Sequence, residues 1–122
     1  MGLDLSGMPE LKNYLKQLDK VGERIAEKAL KAGAEILRAE IERRAPRSTF
    51  NKKHLADSII ISEVINGNID IGPHKDFFYA WFHEFGASTM SANPFVEPAY
   101  LAVKDKIQRV MGDVIRKELA RL

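Results

Sequence analysis

Residues 77–99 read FFYAWFHEFG-ASTMSAN-PFVEPA, and six of the chain's aromatic residues fall within the first nine positions: Phe77, Phe78, Tyr79, Trp81, Phe82 and Phe85. Taken as a helix, Phe78, Trp81, Phe82 and Phe85 stand at i, i+3, i+4 and i+7 on one apolar face, and Gly86 is placed to stop the turn. Taken as a strand, the same residues put rings on both sides, which suits only a strand buried on both faces. The helical alternative leaves His83 and Glu84 on a second face and accounts for Gly86, so a short helix is expected. Each ring can bury on the order of 150–250 Å², so the cluster is either the main core anchor or a surface for a partner. Ala87–Asn93 is small and polar, as expected of a loop. Pro94 and Pro98 then bias Asn93 and Glu97 away from helix, which predicts a stiff elbow that turns Phe95 and Val96 inward. A last helix should start near Pro98.

Outward from this stretch, the pattern is regular on both sides. Leu101, Val103, Ile107, Val110, Met111, Val114, Ile115 and Leu119 make a broad apolar stripe and predict a helix from Pro98 to about Arg121. Upstream, Leu55–Ile65 is rich in β-branched residues, Asn66-Gly67-Asn68 signals a turn, and Ile69-Asp70-Ile71 alternates before Gly72-Pro73, expected to stop the run, which together predict a β-hairpin. A lone hairpin is marginal in water. It needs a helix on one face and a further strand, from residues 1–5, the 87–91 loop or a neighbouring subunit.

Nearer the start, Leu11, Leu15, Leu18, Val21 or Gly22, Ile25, Ala29, Ala32, Ile36 and Ala39 alternate by threes and fours. They predict one amphipathic helix from Pro9 to about Arg44, closed by Pro46, about 55 Å long if unbroken. Gly22 and Gly33 each cost roughly 1 kcal/mol relative to alanine, and Gly22 is the expected site of a bend. Residues 1–7 lack helical pattern and are expected as a flexible arm or a short extended segment.

The chain has 122 residues, enough for one domain with a modest core, with 45% apolar and 30% charged residues. No apolar run approaches the ~20 residues that span a bilayer, no leader pattern opens the chain, and no membrane association is expected. Cysteine is absent, which excludes disulfides and thiolate metal sites and suits a reducing compartment. A formal net charge of +2 is too even to announce nucleic acid by bulk charge. One local excess exists: Arg43, Arg44, Arg47, Lys52 and Lys53, with Phe50 among them, and no acid from 43 to 54. Such a loop can hold phosphates and stack a base, or meet an acidic neighbouring protein.

Catalytic constellations do not emerge. His83-Glu84 resembles part of a zinc-protease motif, yet the second histidine would fall at residue 87, which is alanine. Ser58 lacks a Gly-x-Ser-x-Gly setting, and no glycine-rich phosphate loop exists. No enzyme activity, metal or cofactor is therefore expected. A hydrolase using Glu84 with a histidine ranks behind a nucleic-acid binder using residues 43–54.

Tyr79-Ala80, Glu84-Phe85-Gly86, Pro94-Phe95 and Pro98-Ala99, together with Gly7-Met8-Pro9-Glu10-Leu11, Ala45-Pro46, Thr49 and Leu55–Ile59, resemble in order and spacing the small neck proteins of long-tailed bacteriophages, the head–tail connector or tail-completion components. The likeness covers nearly the whole chain. Where that family has a tight threonine–glycine–x–leucine turn, this chain has the longer basic Thr49–Leu55 stretch.

The resemblance implies a structural virion protein of the head–tail neck, present in the bacterial cytoplasm during assembly. It implies homo-oligomerisation into a ring and docking to head-connector and tail-terminator or tail-tube proteins. Phe77, Tyr79, Trp81, His83, Glu84, Met90 and Asn93 become the expected assembly contacts. Arg43, Arg44, Arg47, Lys52 and Lys53 become the expected contacts to phage DNA or an acidic partner. The expected fold is a single α+β domain: a small antiparallel sheet built on the hairpin, packed by a long N-terminal and a C-terminal helix.

Overall fold

A computed structural model of the protein describes residues 2–44, 49–50, 53–54, 59–73 and 96–122. Its elements are β1 (Gly2–Leu3), α1 (Pro9–Gln17), α2 (Asp19–Arg44), β2 (Thr49–Phe50), β3 (Lys53–His54), β4 (Ile59–Ile61), β5 (Ile69–Pro73) and α3 (Val96–Ala120). The α+β class expected from the sequence is the class observed.

The core lies between α2, α3 and one face of a sheet. On α2, Leu30, Ala34, Leu37 and Ile41 are fully buried, and on α3 Ala99, Ile107, Met111 and Ile115 recur at helical spacing and are buried too. The helices run antiparallel. Lys28 meets Glu118 at one end, Gly33 faces Ile107 and Met111 midway, and Ala39 and Arg43 share a groove with Val103 and Lys106 at the other. A methyl group on Gly33 would lie 2.9 Å from the Met111 side chain, so glycine here lets the two axes come close. The buried stripe differs from the expected one beyond Ala29. It follows Leu30, Ala34, Leu37 and Ile41, while Ala32 and Ile36 are half-buried and Ala39 is exposed. Large side chains gain about 2 kcal/mol each on burial, and the stripe that turns inward carries three of them, Leu30, Leu37 and Ile41, against one, Ile36, on the outer stripe.

The sheet has the order β1-β5-β4, antiparallel throughout. Leu3, Ile59, Ile69 and Ile71 are buried on the face toward α2, whereas Ile60 and Asp70 are exposed. Of the three sources considered for the extra strand, the N-terminal segment supplies it. Gly2 and Leu3 pair with Asp70 and Ile69, and with Leu3 and Leu5 buried this segment is the extended piece and not a loose arm. Asn66 and Gly67 have φ of 52° and 76°, the left-handed pair of a two-residue type I′ turn that asparagine and glycine tolerate best. Ile65 and Asn68 exchange backbone hydrogen bonds of 2.9 and 3.0 Å across it. Between that pair and Ile61–Ile71, residues 62–64 oppose only 69–70. This is a bulge, and the Ser62 hydroxyl accepts the Asp70 N–H at 2.9 Å in place of a carbonyl. Gly72 and Pro73 continue the strand instead of stopping it.

The predicted first helix is in fact two. α1 stops at Gln17, Leu18 caps it, and α2 restarts at Asp19 with φ of 52°. The corner lies three residues before Gly22, the expected bend. Gly22 serves it differently: a methyl group there would sit 1.8 Å from the Leu15 carbonyl oxygen, so only glycine lets α2 lie this close to the end of α1. At its other end, α1 opens with Pro9 in the first turn and Glu10 beside the helix N-terminus. The link from β1 is an Asx-type turn in which the Ser6 N–H donates to Asp4 Oδ1 at 3.0 Å. The Ser6 hydroxyl, then its N–H, hold the Asp4 carboxyl below its usual range.

Two further differences concern boundaries. α3 begins at Val96, two residues before Pro98. Proline is tolerated there because the N–H groups of a first turn have no helical partner. Within the basic stretch 45–54, expected as a loop, Thr49 pairs with His54 and Phe50 with Lys53 in a separate two-stranded hairpin. The short helix expected over 77–86, the 87–93 loop and the strand start at 55–58 lie outside the described residues.

Candidate assembly surfaces

Along the outer side of the helix pair runs a shallow groove lined by Ala32, Ile36 and Ala39 of α2 and Val103 and Val110 of α3, with Glu35, Glu40, Arg43 and Lys106 at its rim. It is the second stripe of α2, the one the sequence pattern pointed to as core. Small residues here leave α3 partly uncovered, so the groove is apolar at its floor and charged at its edge.

The charges of α2 above this groove are paired with one another. Arg38 bridges Glu35 and Glu42, its Nη2 reaching Glu35 Oε1 at 2.5 Å and its Nη1 reaching Glu42 Oε2 at 2.6 Å. The hydrogen bonds that Arg38 donates to Glu35, then to Glu42, raise its pKa further above its already high value. Glu40 accepts from Arg43 Nη2 at 2.5 Å and from Arg44 Nε at 2.7 Å. Those hydrogen bonds, Arg43's first, bring the Glu40 carboxyl down to about 2. Two of the five basic residues singled out in the sequence are thus tied to one carboxylate within their own helix. Exposed pairs of this kind add little stability, but they reduce the positive field offered to a phosphate. Between the helices, Lys28 Nζ donates to Glu118 Oε1 at 2.5 Å and keeps that carboxyl below its usual range. On α3, Arg116 reaches Asp113 at 3.5 Å.

At the opposite end, the corner between α1 and α2 frames a cleft of about 230 Å³. Leu5, Leu15, Ala26 and Leu30 form its apolar floor, and Lys12, Lys16, Asp19 and Glu23 ring it. On the two helices that meet at this corner, Tyr14 is 52% and Val21 41% exposed.

The expected assembly contacts Phe77, Tyr79, Trp81, His83, Glu84, Met90 and Asn93 all lie outside the described residues, as do Arg47 and Lys52. Lys53 is placed by its backbone in β3, opposite Phe50. Arg43 and Arg44 stand side by side in the last turn of α2. The groove and the corner cleft were not foreseen. The second stripe was visible in sequence as Ala32, Ile36 and Ala39, but only burial separates it from the core. Among the described residues, no helix is long and apolar enough to cross a membrane.

No curated protein and no solved structure matches the chain significantly. A family model described as "Bacteriophage HK97-gp10, putative tail-component" matches residues 9–86, from the first residue of α1 through both hairpins to the Glu84-Phe85-Gly86 motif. That span is well over half of the 122 residues. The chain belongs to the HK97-gp10-like family of bacteriophage tail components, and is a phage structural protein.

Proposed function

We propose that this protein is a component of the phage head–tail neck, a connector or tail-completion part. It would act by self-association and by docking to the head-side and tail-side proteins beside it, without catalysing a reaction. The observation that carries this reading is the family match over residues 9–86, continued downstream by Pro94-Phe95 and Pro98-Ala99 in the order seen in small neck proteins. The open groove between α2 and α3 and the exposed apolar pair Tyr14 and Val21 supply surface for such contacts. Phe77, Tyr79, Trp81, His83, Glu84, Met90 and Asn93 are the proposed contacts in the aromatic stretch. The proposed partners are further copies in a ring and the adjoining connector, tail-terminator or tail-tube proteins. The proposed location is the virion neck, reached from the host cytoplasm.

Deleting the gene from the phage or prophage that encodes it tests the reading. Filled heads and separate tails should accumulate and join when the protein is restored, whereas normally joined particles in its absence would refute a neck role. The nucleic-acid alternative rests on Arg43, Arg44, Arg47, Lys52 and Lys53. The engagement of Arg43 and Arg44 by Glu40 counts against it. A DNA affinity falling steeply with salt would revive it.

A further inference from the structure

We propose that β1 and α1 form an exchangeable arm, which leaves its own body and covers the equivalent surface of a second copy when the protein assembles. The inference rests on the reading that the protein self-associates, and names how neighbouring copies grip one another.

Three features of the N-terminal corner point this way. First, the turn between α1 and α2 is a single-residue hinge held by Asp19 at φ 52°, a conformation that side chains other than glycine adopt at a cost. Second, neither Leu18 nor Asp19, where the chain turns, is a helix breaker. Leu11, Leu15, Leu18, Gly22 and Ile25 keep the three-and-four spacing straight through the corner, so Pro9–Arg44 can also form one continuous amphipathic helix. The bent form brings Gly22 close against the Leu15 carbonyl, where a side chain has no room. Third, the arm's attachment is compact and separable. β1 is two residues long and pairs with β5 only at Asp70 and Ile69, and the arm's buried anchors are Leu3, Leu5 and Leu15.

Straightening at Asp19 would relieve the hinge and withdraw those anchors together. The body would then expose the edge of β5 and the floor of the corner cleft, Ala26 and Leu30. Only one partner is complementary to that surface by construction, namely the β1–α1 arm of another copy. This is the low-cost route by which an identical element exchanged between protomers makes a new contact. The register of β1 on β5 and the seat of Leu15 would be kept, with the connection between chains being the straightened helix.

Cysteine scanning tests it directly, because the chain has no native cysteine. Gly2 and Asp70 lie opposite one another across β1 and β5, a spacing that a disulfide can bridge. Gly2→Cys and Asp70→Cys are made as separate chains, mixed, allowed to assemble and oxidised. Mass by light scattering identifies the oligomer, and a non-reducing gel shows which chains are linked. Exchange gives a covalent dimer of the two different variants in the oligomer fraction. Gly22→Ala, which a bent corner cannot house and a straight helix favours, should raise the oligomer fraction several-fold, and Asp19→Gly should lower it. Oligomers without interchain linkage, in which the Gly2→Cys/Asp70→Cys double variant closes within its own chain, would overturn exchange and leave self-association standing. Failure to form oligomers at any concentration would overturn both.

Discussion

The two ends of α2 are held in opposite ways. Its C-terminal two-thirds lies against α3 and the sheet through Leu30, Ala34, Leu37 and Ile41, none with measurable exposure, and the helix continues without interruption to Arg44. Its N-terminal end meets α1 at a left-handed aspartate, beside a carbonyl that tolerates no side chain at Gly22, with apolar Tyr14 and Val21 in water. The first region is over-determined by packing. The second is a bend that local sequence does not ask for and that tertiary contacts impose.

The largest expected effect strikes the packed end. Leu37→Ala removes a fully buried side chain where both neighbours are rigid elements, and should cost about 3–4 kcal/mol. A urea melt will read this as a lower midpoint with an unchanged slope. Leu15→Ala in α1 should cost less, because the arm can give way without unfolding the body. Equal losses would erase the distinction between the two regions. Next, Gly22→Ala should destabilise the bent monomer by about 2 kcal/mol, since its methyl group meets backbone and not a flexible side-chain tip. A neutral result would mean the corner yields easily. Asp19→Gly is expected to stabilise the same monomer by about 0.5–1 kcal/mol. Relief of the left-handed strain exceeds the added freedom of the unfolded chain there.

The smallest effect concerns charge. The Glu40 carboxyl is lowered from 4.5 to about 2 by hydrogen bonds from Arg43 and Arg44. A depressed carboxyl contributes stability that is present above pH ~4.5 and lost as pH falls toward ~2. Glu40→Gln should therefore be slightly less stable than the parent at pH 7 and indistinguishable from it near pH 2. Denaturation at the two pH values checks this. A gap that persists in acid would show that the residue acts by packing rather than by charge. Because the pair is exposed, the difference at pH 7 stays small.

How far the sequence revealed these regions follows the same division. The hairpin was legible because Asn66-Gly67 is a local signal with one structural meaning, and α3 because its stripe is long and regular. The class of the fold followed. The corner at Leu18–Asp19 was not legible, since neither residue breaks a helix and the bend is set by contacts distant in sequence. Beyond Ala29 the pattern points to Ala32, Ile36 and Ala39 as the inward face of α2, whereas Leu30, Ala34, Leu37 and Ile41 are the residues buried. Two adjacent stripes flank Gly33, and the pattern alone does not say which one meets the sheet. The strand partner of β5 was one of three candidates, and only pairing geometry chose Gly2–Leu3. At the surfaces, the i, i+4 spacing of Glu40 and Arg44 foretells the pair that forms, whereas the second grip on the same carboxylate, from Arg43 at i+3, is not distinguished in sequence from an unengaged charge of the basic tract.

Hydrogen exchange of the isolated monomer, followed residue by residue, bears most directly on the contrast between packed body and hinged arm. The amides of α1 should exchange at least tenfold faster than those of Leu30–Ile41 and Ile107–Ile115, through an opening that leaves the helix pair intact. Upon assembly they should slow toward the rates of the body. Protection of α1 equal to that of α2 and α3 in the monomer, rising and falling together with denaturant, would show a single cooperative unit with no separable arm.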